Sequence, residues 1–230
     1  MTIALGLLAK DGLVIAADTE ETYGNFLKVD QGKVSAVLAA YQTPGQTRSR
    51  CCLITGAGSG HHIDAIGQQL MNCVADGEDR SQGDIERDFG VILRNFYSEH
   101  IIPFAAYPED QRPSLELLIG TQLPRRLLVS QDNVLKDGSS YSAVGIGKLM
   151  AYPILGRFYR WPIDVRTAVL LASYVLFHVK DSVAGCGKST DMWGFNGEYA
   201  FNLPRQATKE LEDAVSPDYS PGSGEKRQGA

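Results

Sequence analysis

The sequence has few cysteines, no excess of basic residues and no long apolar run. Its four cysteines, among 230 residues, are neither spaced in zinc-binding pairs nor dense enough for a disulfide scaffold, so we expect free thiols in a reducing cytoplasm. Basic residues number 22 against 27 acidic ones, which argues against a nucleic-acid partner. The longest apolar run, 168–179, is shorter than the ~20 residues of a membrane-spanning helix. The N-terminus lacks the pattern of a secretory signal. We therefore predict a cytoplasmic protein without a membrane partner.

Two short patterns resemble ligand sites but are incomplete. The segment AGCGKST, 184–190, ends like a phosphate-binding loop, which needs a glycine five residues before its Gly-Lys pair and a strand in front of it. Ser182 stands at that glycine position, and residues 167–179 predict a helix instead. The adjacent His61 and His62 would point in different directions on a helix, which does not favour a metal site. The sequence therefore predicts no cofactor and no metal.

The first half of the chain contains strands followed by helices. It opens with two apolar runs, TIALGLL and LVIAAD, separated by AKDG, whose Asp-Gly pair is typical of a hairpin turn. Two further strands are predicted for KVSAVLAA and CCLITGAG, with residues 41–50 as the loop between them. Apolar residues at helical spacing then predict helices over 59–74 and 85–100.

The second half repeats this order. Strands are predicted for LELLIGTQ, RLLVSQ and SYSAVGIG, the last two joined across residues 136–138, and helices for 148–160 and 164–180, the second with Asp164 as its N-cap. A final hairpin, DMWGF and YAFNL, turns at Asn196-Gly197. This order predicts an α+β fold, a four-layer α/β/β/α sandwich of two mainly antiparallel sheets. We assign residues 1–215 to one domain and 216–230, poor in apolar residues, to a disordered tail.

Thr2 directly follows the initiator methionine, which a residue this small allows to be removed. A terminal threonine is nucleophile and base in one, because its hydroxyl attacks a carbonyl while its α-amine, with a reference pKa of about 7.7–8.0, accepts the proton. Many proteins carry threonine after methionine, so Thr2 alone does not predict this chemistry.

The first 34 residues carry a longer pattern: a leading threonine, an apolar strand, a Lys-Asp-Gly turn, VIAAD, a threonine, Gly-Asn-Phe, and a lysine before valine. This pattern resembles the opening of proteasome-type β subunits, members of the N-terminal nucleophile hydrolases, and most closely a bacterial proteasome-like homologue. The resemblance implies the N-terminal nucleophile hydrolase fold, a homo-oligomeric ring, and hydrolysis of peptides or unfolded proteins.

By this resemblance, Thr2 takes the position of the nucleophile, Asp18 that of the acid that holds the family's lysine, and Lys33 that of the lysine itself. A cation fixed near the Thr2 amine would favour its neutral, proton-accepting form. Asp18 would neutralise and orient the buried lysine. Gly56 in ITGAGSG matches the residue whose N–H forms the oxyanion hole.

The resemblance also implies residues that contact the substrate. Thr22 matches the position whose backbone pairs with an extended substrate. Ile54 lies toward the specificity pocket and favours apolar side chains there.

The second half of the chain departs from the family's pattern. Asp181 in KDSVAGCG matches an aspartate that supports the terminal threonine. Lys148 and Ala184, however, stand where the family has serines that complete the hydrogen bonds around it. Three functions follow: a threonine peptidase, a non-catalytic ring protein of the same fold, or an amidase acting on small molecules. If the protein forms a ring, a separate ATPase or regulator could deliver substrate to it.

Overall fold

The computed structural model describes residues 2–23, 27–43, 46–76, 81–108, 111–197 and 199–215. Over these residues the helices are α1 (Gly60–Ala75), α2 (Gln82–His100), α3 (Lys148–Phe158), α4 (Val165–Ser182) and α5 (Arg205–Val215), with a short 3-10 turn at Ile102–Phe104. The strands are β1 (Ile3–Leu8), β2 (Gly12–Asp18), β3 (Glu20–Tyr23), β4 (Leu27–Asp30), β5 (Ser35–Thr43), β6 (Gln46–Gly58), β7 (Leu115–Thr121), β8 (Arg126–Gln131), β9 (Val134–Asp137), β10 (Tyr141–Gly145), β11 (Thr190–Asn196) and β12 (Tyr199–Leu203).

The predicted N-terminal hairpin, β1 and β2, lies inside the first sheet, whose antiparallel strand order is β10-β1-β2-β11-β12. Gly12 is required at the start of β2, because a Cβ there would lie 1.9 Å from the Phe195 carbonyl oxygen. At the other end of β2, Asp18 pairs with Thr190. The start of β1, the end of β2 and the start of β11 therefore meet at one end of the sheet.

The second sheet has the antiparallel order β5-β6-β7-β8-β9, and the loop predicted for residues 41–50 is wrong. The ladder between β5 and β6 continues out to the pair Thr43 and Gln46, because polar and β-branched residues extend a strand as readily as apolar ones when their backbones pair. Pro44 and Gly45 lie outside the described residues.

The connection predicted across residues 136–138 is also wrong. Val134–Asp137 forms β9, which pairs with β8 after a turn in which Asp132 has a positive φ of 51°. Aspartate tolerates this left-handed conformation better than most residues, and the Asp132-Asn133 pair was the signal that the sequence offered.

Three hydrophobic clusters hold the described elements together. One joins the first sheet to α3 and α4, a second joins the second sheet to α1 and α2, and a third lies between the two sheets. In β2, Leu13 and Ile15 belong to the cluster between the sheets, whereas Val14 and Ala16 belong to the cluster under the helices. Successive side chains of a strand point to opposite faces, so a strand buried on both faces reads as a continuous apolar run.

The predicted helices are confirmed, including the Asp164 cap, whose carboxylate accepts a hydrogen bond from the Thr167 N–H at 2.8 Å. The sequence analysis missed the short pair β3 and β4, whose residues are mostly charged or polar, and the polar helix α5, in which Thr208 is buried. The tail predicted for 216–230 lies outside the described residues. All four cysteines are free. None of the helices described combines the length and hydropathy needed to cross a membrane.

Candidate active site

Thr2 lies just before β1 and is 4% exposed. Its hydroxyl Oγ1 donates a hydrogen bond to the Asp18 carboxylate and accepts one from the Lys33 ammonium at 2.5 Å. The structure therefore brings together the three residues that the sequence analysis placed at the centre of the site. A hydroxyl between an acceptor and a cation has its oxygen lone pairs and its proton both held in a fixed direction.

Asp18 is completely buried at the end of β2, and its carboxylate is surrounded by donors. Oδ1 accepts from the Ile3 N–H at 2.9 Å and lies 3.2 Å from the Lys33 ammonium. Oδ2 accepts from the N–H groups of Glu20 at 3.3 Å and Gly187 at 3.0 Å. A buried charge is tolerated only with such partners, and here they also fix the orientation of the carboxylate toward Thr2.

Lys33 reaches this group from the segment between β4 and β5, with 14% of its side chain exposed. Its ammonium donates to the Glu20 carbonyl oxygen at 2.6 Å as well as to Thr2 and Asp18. All three protons of the ammonium therefore have acceptors.

The backbone around Lys33 is held by Asp191, which the sequence analysis missed. Asp191 Oδ2 accepts from the N–H groups of Lys33 at 2.8 Å and Val34 at 2.9 Å, while Oδ1 accepts from the Trp193 indole N–H at 3.1 Å. Asp191 is 158 positions away from Lys33 in the chain. No local pattern could have indicated it, since the contact depends on β11 pairing with β2.

Gly56 lies in β6 with its N–H turned away from β7. The Ser59 N–H donates to the Ser114 carbonyl, so the alternation of an antiparallel ladder pairs Ala57 with β7 and directs the N–H groups of Gly56 and Gly58 to the opposite side. On that side the ladder with β5 stops at Ser35. Gly56 and Gly58 line the same cleft as Lys33, and a donor pair there could stabilise an oxyanion.

A cleft of about 620 Å³, counting the space open to solvent, extends from Thr2 and is lined by one of the two predicted substrate residues, Thr22. Thr22 lines it from β3, which pairs only with β4 among the described strands. Ile54 is buried and lines an adjoining recess together with Ile63 and Met71. The two spaces share Lys33 at their junction, so an extended chain lying along β3 could place one side chain in the recess.

The residues predicted from the second half of the chain lie outside this group. Asp181 is exposed in the last turn of α4 and, within the described residues, forms no hydrogen bond with Thr2, Asp18 or Lys33. Ala184 is exposed in the α4–β11 loop, which we define as residues 183–189.

Lys148 begins α3, and its ammonium is paired with the Glu116 carboxylate of β7. Glu116 also accepts the Gly145 N–H at 2.7 Å, next to the turn whose Gly147 N–H donates to the Thr2 carbonyl at 3.4 Å. Lys148 thus has a counterion of its own and belongs to the turn that borders Thr2.

The α4–β11 loop contributes backbone and a buried thiol, and Ala184 stands where the resembled enzymes have a serine hydroxyl. Its Gly187 N–H donates to Asp18, and Cys186 beside it is 5% exposed. Burial, followed by the negative charge of Asp18, raises the pKa of the Cys186 thiol to about 12. This thiol stays protonated near neutral pH and is not available as a thiolate nucleophile.

The residues that the structure describes contain no group of three or more histidine, cysteine, aspartate or glutamate side chains arranged to hold a metal ion. The His62 ring packs edge-on against Phe96, with 5.9 Å between the ring centroids. Burial lowers the pKa of His62, with smaller contributions from the charges of His100 and His61. The aromatic contact accounts for His62 as a packing residue of α1 and α2.

Comparison with known proteins gives a result for structure alone. No family model and no curated protein sequence matches the chain. Solved structures do match: an Anbu (Gly-1) mutant from Hyphomicrobium sp. strain MC1 has a TM-score of 0.71 at 17% identity, with 93% of each chain covered. Anbu from Yersinia bercovieri, described as an ancestral β-subunit, has a TM-score of 0.70 at 16% identity, again with 93% of each chain covered.

The Anbu complex from Pseudomonas aeruginosa, described as a helical assembly, has a TM-score of 0.68 at 17% identity and covers 96% of this chain and 99% of its own. These likenesses correct the sequence analysis, in which the assignment to proteasome-type β subunits of a bacterial homologue was wrong. The motifs behind that assignment specify a hairpin and a Thr-Asp-Lys group, which are too few residues to identify a family. What the comparisons show is that this chain has the fold of the Anbu proteins.

Proposed function

We propose that the protein is an N-terminal threonine peptidase that hydrolyses peptide bonds through Thr2 after removal of Met1. One observation carries this proposal: the Lys33 ammonium lies within hydrogen-bonding distance of both the Thr2 hydroxyl and the Asp18 carboxylate, beside an open cleft. A buried lysine and aspartate that served stability alone would not need a hydroxyl between them at a cleft.

The reaction would proceed through an ester. The Thr2 hydroxyl gives its proton to the free Thr2 amine as Oγ1 bonds to the substrate carbonyl carbon, and the proton then passes to the amine of the departing peptide as the C–N bond breaks. Water attacks the ester and restores Thr2 with release of the acid. Lys33 stabilises negative charge on Oγ1, and Asp18 neutralises Lys33.

The cleft supports an extended peptide as substrate. The backbone near Thr22 would pair with it, the recess beside Ile54 would take an apolar side chain, and the N–H of Gly56 would stabilise the oxyanion. Gly58 is the second donor for that role, since the ladder directs its N–H to the same side as that of Gly56.

We also infer that the three hydrophobic clusters stack the described elements as a four-layer α/β/β/α sandwich within one domain, 1–215, and that this domain assembles into homo-oligomers. The helical assembly of the Pseudomonas aeruginosa Anbu complex supports the second inference. A separate regulator would deliver unfolded protein to this assembly, and the cytoplasm would keep the four thiols reduced.

A second function, a non-catalytic subunit of the same assembly, is favoured by one observation. Asp181 is exposed at the end of α4 and Ala184 has no polar side chain, so the α4–β11 loop contacts the Asp18 carboxylate through backbone alone.

The test compares wild type with Thr2→Ala on a set of fluorogenic peptides. We expect Thr2→Ala to abolish turnover and to leave the oligomeric mass by light scattering unchanged, because the side chain contributes chemistry and only a small packing volume. Turnover by wild type that Thr2→Ala retains would refute the proposal. An inactive wild type that keeps its Met1 would favour the non-catalytic subunit.

A further inference from the structure

A nearly buried ion pair joins the last two helices next to the candidate site. The Lys180 ammonium of α4 lies 2.7 Å from each carboxylate oxygen of Glu212 in α5. Their side chains are 9% and 13% exposed. When a pair is this enclosed, loss of one partner leaves the other charge uncompensated.

The same pair holds the end of the α4–β11 loop and the start of β11. Lys180 donates to the Lys188 carbonyl at 3.3 Å and to the Thr190 hydroxyl at 2.9 Å, and that hydroxyl donates in turn to Glu212. Thr208 of α5 donates to the Thr190 carbonyl at 3.4 Å. Residues 188–190 are therefore fixed on one side by α4 and α5.

On its other side, the segment 187–190 contacts the end of β2. The Gly187 N–H donates to Asp18 at 3.0 Å, the Thr19 N–H donates to the Ser189 carbonyl at 3.1 Å, and Thr190 pairs with Asp18 across the ladder. One short piece of chain thus contacts the Lys180–Glu212 pair and the carboxylate that orients Lys33 and Thr2.

The backbone of this segment needs such support. Lys188 has a positive φ of 64°, an uncommon conformation for a residue with a side chain. A Cβ at position 187 would lie 2.7 Å from the Glu20 carboxylate, which shows how closely this backbone approaches the site. Residues in such conformations persist when the surrounding structure holds them there.

We propose that helix α5 is a positioning element of the candidate active site. Through the Lys180–Glu212 pair, α5 holds residues 187–190 in contact with Asp18. This contact determines the positions of Asp18, Lys33 and Thr2 relative to one another. Its catalytic consequence rests on the proposed function. The segment AGCGKST, which spells part of a phosphate-binding loop, thereby has a different role: its Gly187 N–H binds the Asp18 carboxylate.

The test uses Glu212→Gln in the full-length protein, which keeps the shape of the side chain and removes its charge. We expect a kcat lower by about 10- to 100-fold, the effect of a small misplacement of catalytic groups, with KM nearly unchanged because the cleft is lined by other elements. The matched control is Glu210→Gln on the same helix, whose exposed carboxylate accepts a hydrogen bond from Gln206.

Cys186 supplies a readout that does not depend on catalysis. Its rate of thiol labelling, followed by mass spectrometry of the peptide, should rise in Glu212→Gln and stay at the wild-type value in Glu210→Gln. Cys51 and Cys52, buried in the second sheet, report global unfolding and should stay protected in both variants. Selective exposure of Cys186 is the signature of local loosening.

The double variant Lys180→Met/Glu212→Met separates positioning from stability. Replacing a buried ion pair by apolar residues often preserves stability, so thermal unfolding should return near the wild-type value. The hydrogen bonds to Lys188 and Thr190 stay lost, so kcat should stay low. A double variant with wild-type kcat would overturn the proposal. If Glu212→Gln alone unfolds, the kcat of the double variant serves as the test instead.

Inactivity of the wild type on every peptide would count against the proposed function and not against the contact itself. Cys186 labelling then decides: a selective rise in Glu212→Gln supports the hold of α5 on the loop. Equal labelling in Glu212→Gln and Glu210→Gln would overturn it.

Discussion

The two sides of the candidate site are built differently. The N-terminal side supplies side-chain chemistry, with the Thr2 hydroxyl, the Asp18 carboxylate and the Lys33 ammonium in mutual contact. The opposite side, formed by the α4–β11 loop and the turn before α3, supplies backbone N–H groups from Gly187 and Gly147. Its charged side chains are engaged elsewhere or exposed.

This difference shows which features of the site depend on residue identity and which depend on backbone position. Lys148 pairs with Glu116 and Ala184 has no polar side chain, yet the three central groups are still brought together. Support through backbone tolerates many sequences, whereas a nucleophile, its cation and its carboxylate must be particular residues. Substitutions on the two sides should therefore differ in effect.

The largest effect is expected for Lys33→Met. Removal of the cation should lower kcat by about 10²- to 10³-fold, the range for loss of a group that stabilises developing charge. The fold should persist, because the Asp18 carboxylate keeps its backbone N–H donors from Ile3, Glu20 and Gly187 and the backbone of residue 33 is held by Asp191. Peptide turnover and circular dichroism measure the two effects, with Lys10→Met, exposed in the turn between β1 and β2, as the control. A Lys33→Met enzyme as active as Lys10→Met would place the chemistry elsewhere.

An intermediate effect is expected for Asp191→Ala. The substitution leaves the N–H groups of Lys33 and Val34 without their acceptor, so Lys33 should lose its fixed position. We expect kcat lower by about 10- to 100-fold and a free energy of unfolding lower by about 1–3 kcal/mol. Chemical denaturation and steady-state kinetics check the pair of values. Unchanged kcat together with lost stability would show that Asp191 serves the fold alone.

The smallest effect is expected for Lys148→Ser, which introduces the residue type that the resembled enzymes have at this position. The Lys148–Glu116 pair is about one-third exposed, so its loss should change the free energy of unfolding by less than about 1 kcal/mol. We expect kcat to change by less than about fivefold. A gain of two orders of magnitude would show that the missing hydroxyl had limited the site, and a comparable loss would place Lys148 in the chemistry.

The same contrast explains what the sequence could predict. Residues of the N-terminal side lie within 33 positions of one another and of the chain start, so the hairpin, its Asp-Gly turn and the Thr-Asp-Lys group were all visible as a pattern. The opposite side is assembled by contacts between distant residues, such as Gly187 with Asp18 and Asp191 with Lys33.

Some elements gave no signal of their own. Helix α5 is mostly polar and is held by the Lys180–Glu212 pair and by Thr208, so hydrophobic periodicity did not indicate it. The ladder between β5 and β6 includes polar residues whose local sequence predicted a loop, and their strand structure depends on the pairing of the two backbones. Helices α1, α2 and α4 were predicted because their buried apolar residues recur at helical spacing, which is visible in the local sequence.

The most direct test of the account is the intact mass of the purified protein after treatment with a peptide epoxyketone, which reacts with an N-terminal threonine. We predict a covalent adduct on a chain that lacks Met1, and no adduct on Thr2→Ala. A chain processed to Thr2 that gains no mass with any epoxyketone, or a chain that keeps Met1 in its native state, would contradict catalysis by Thr2.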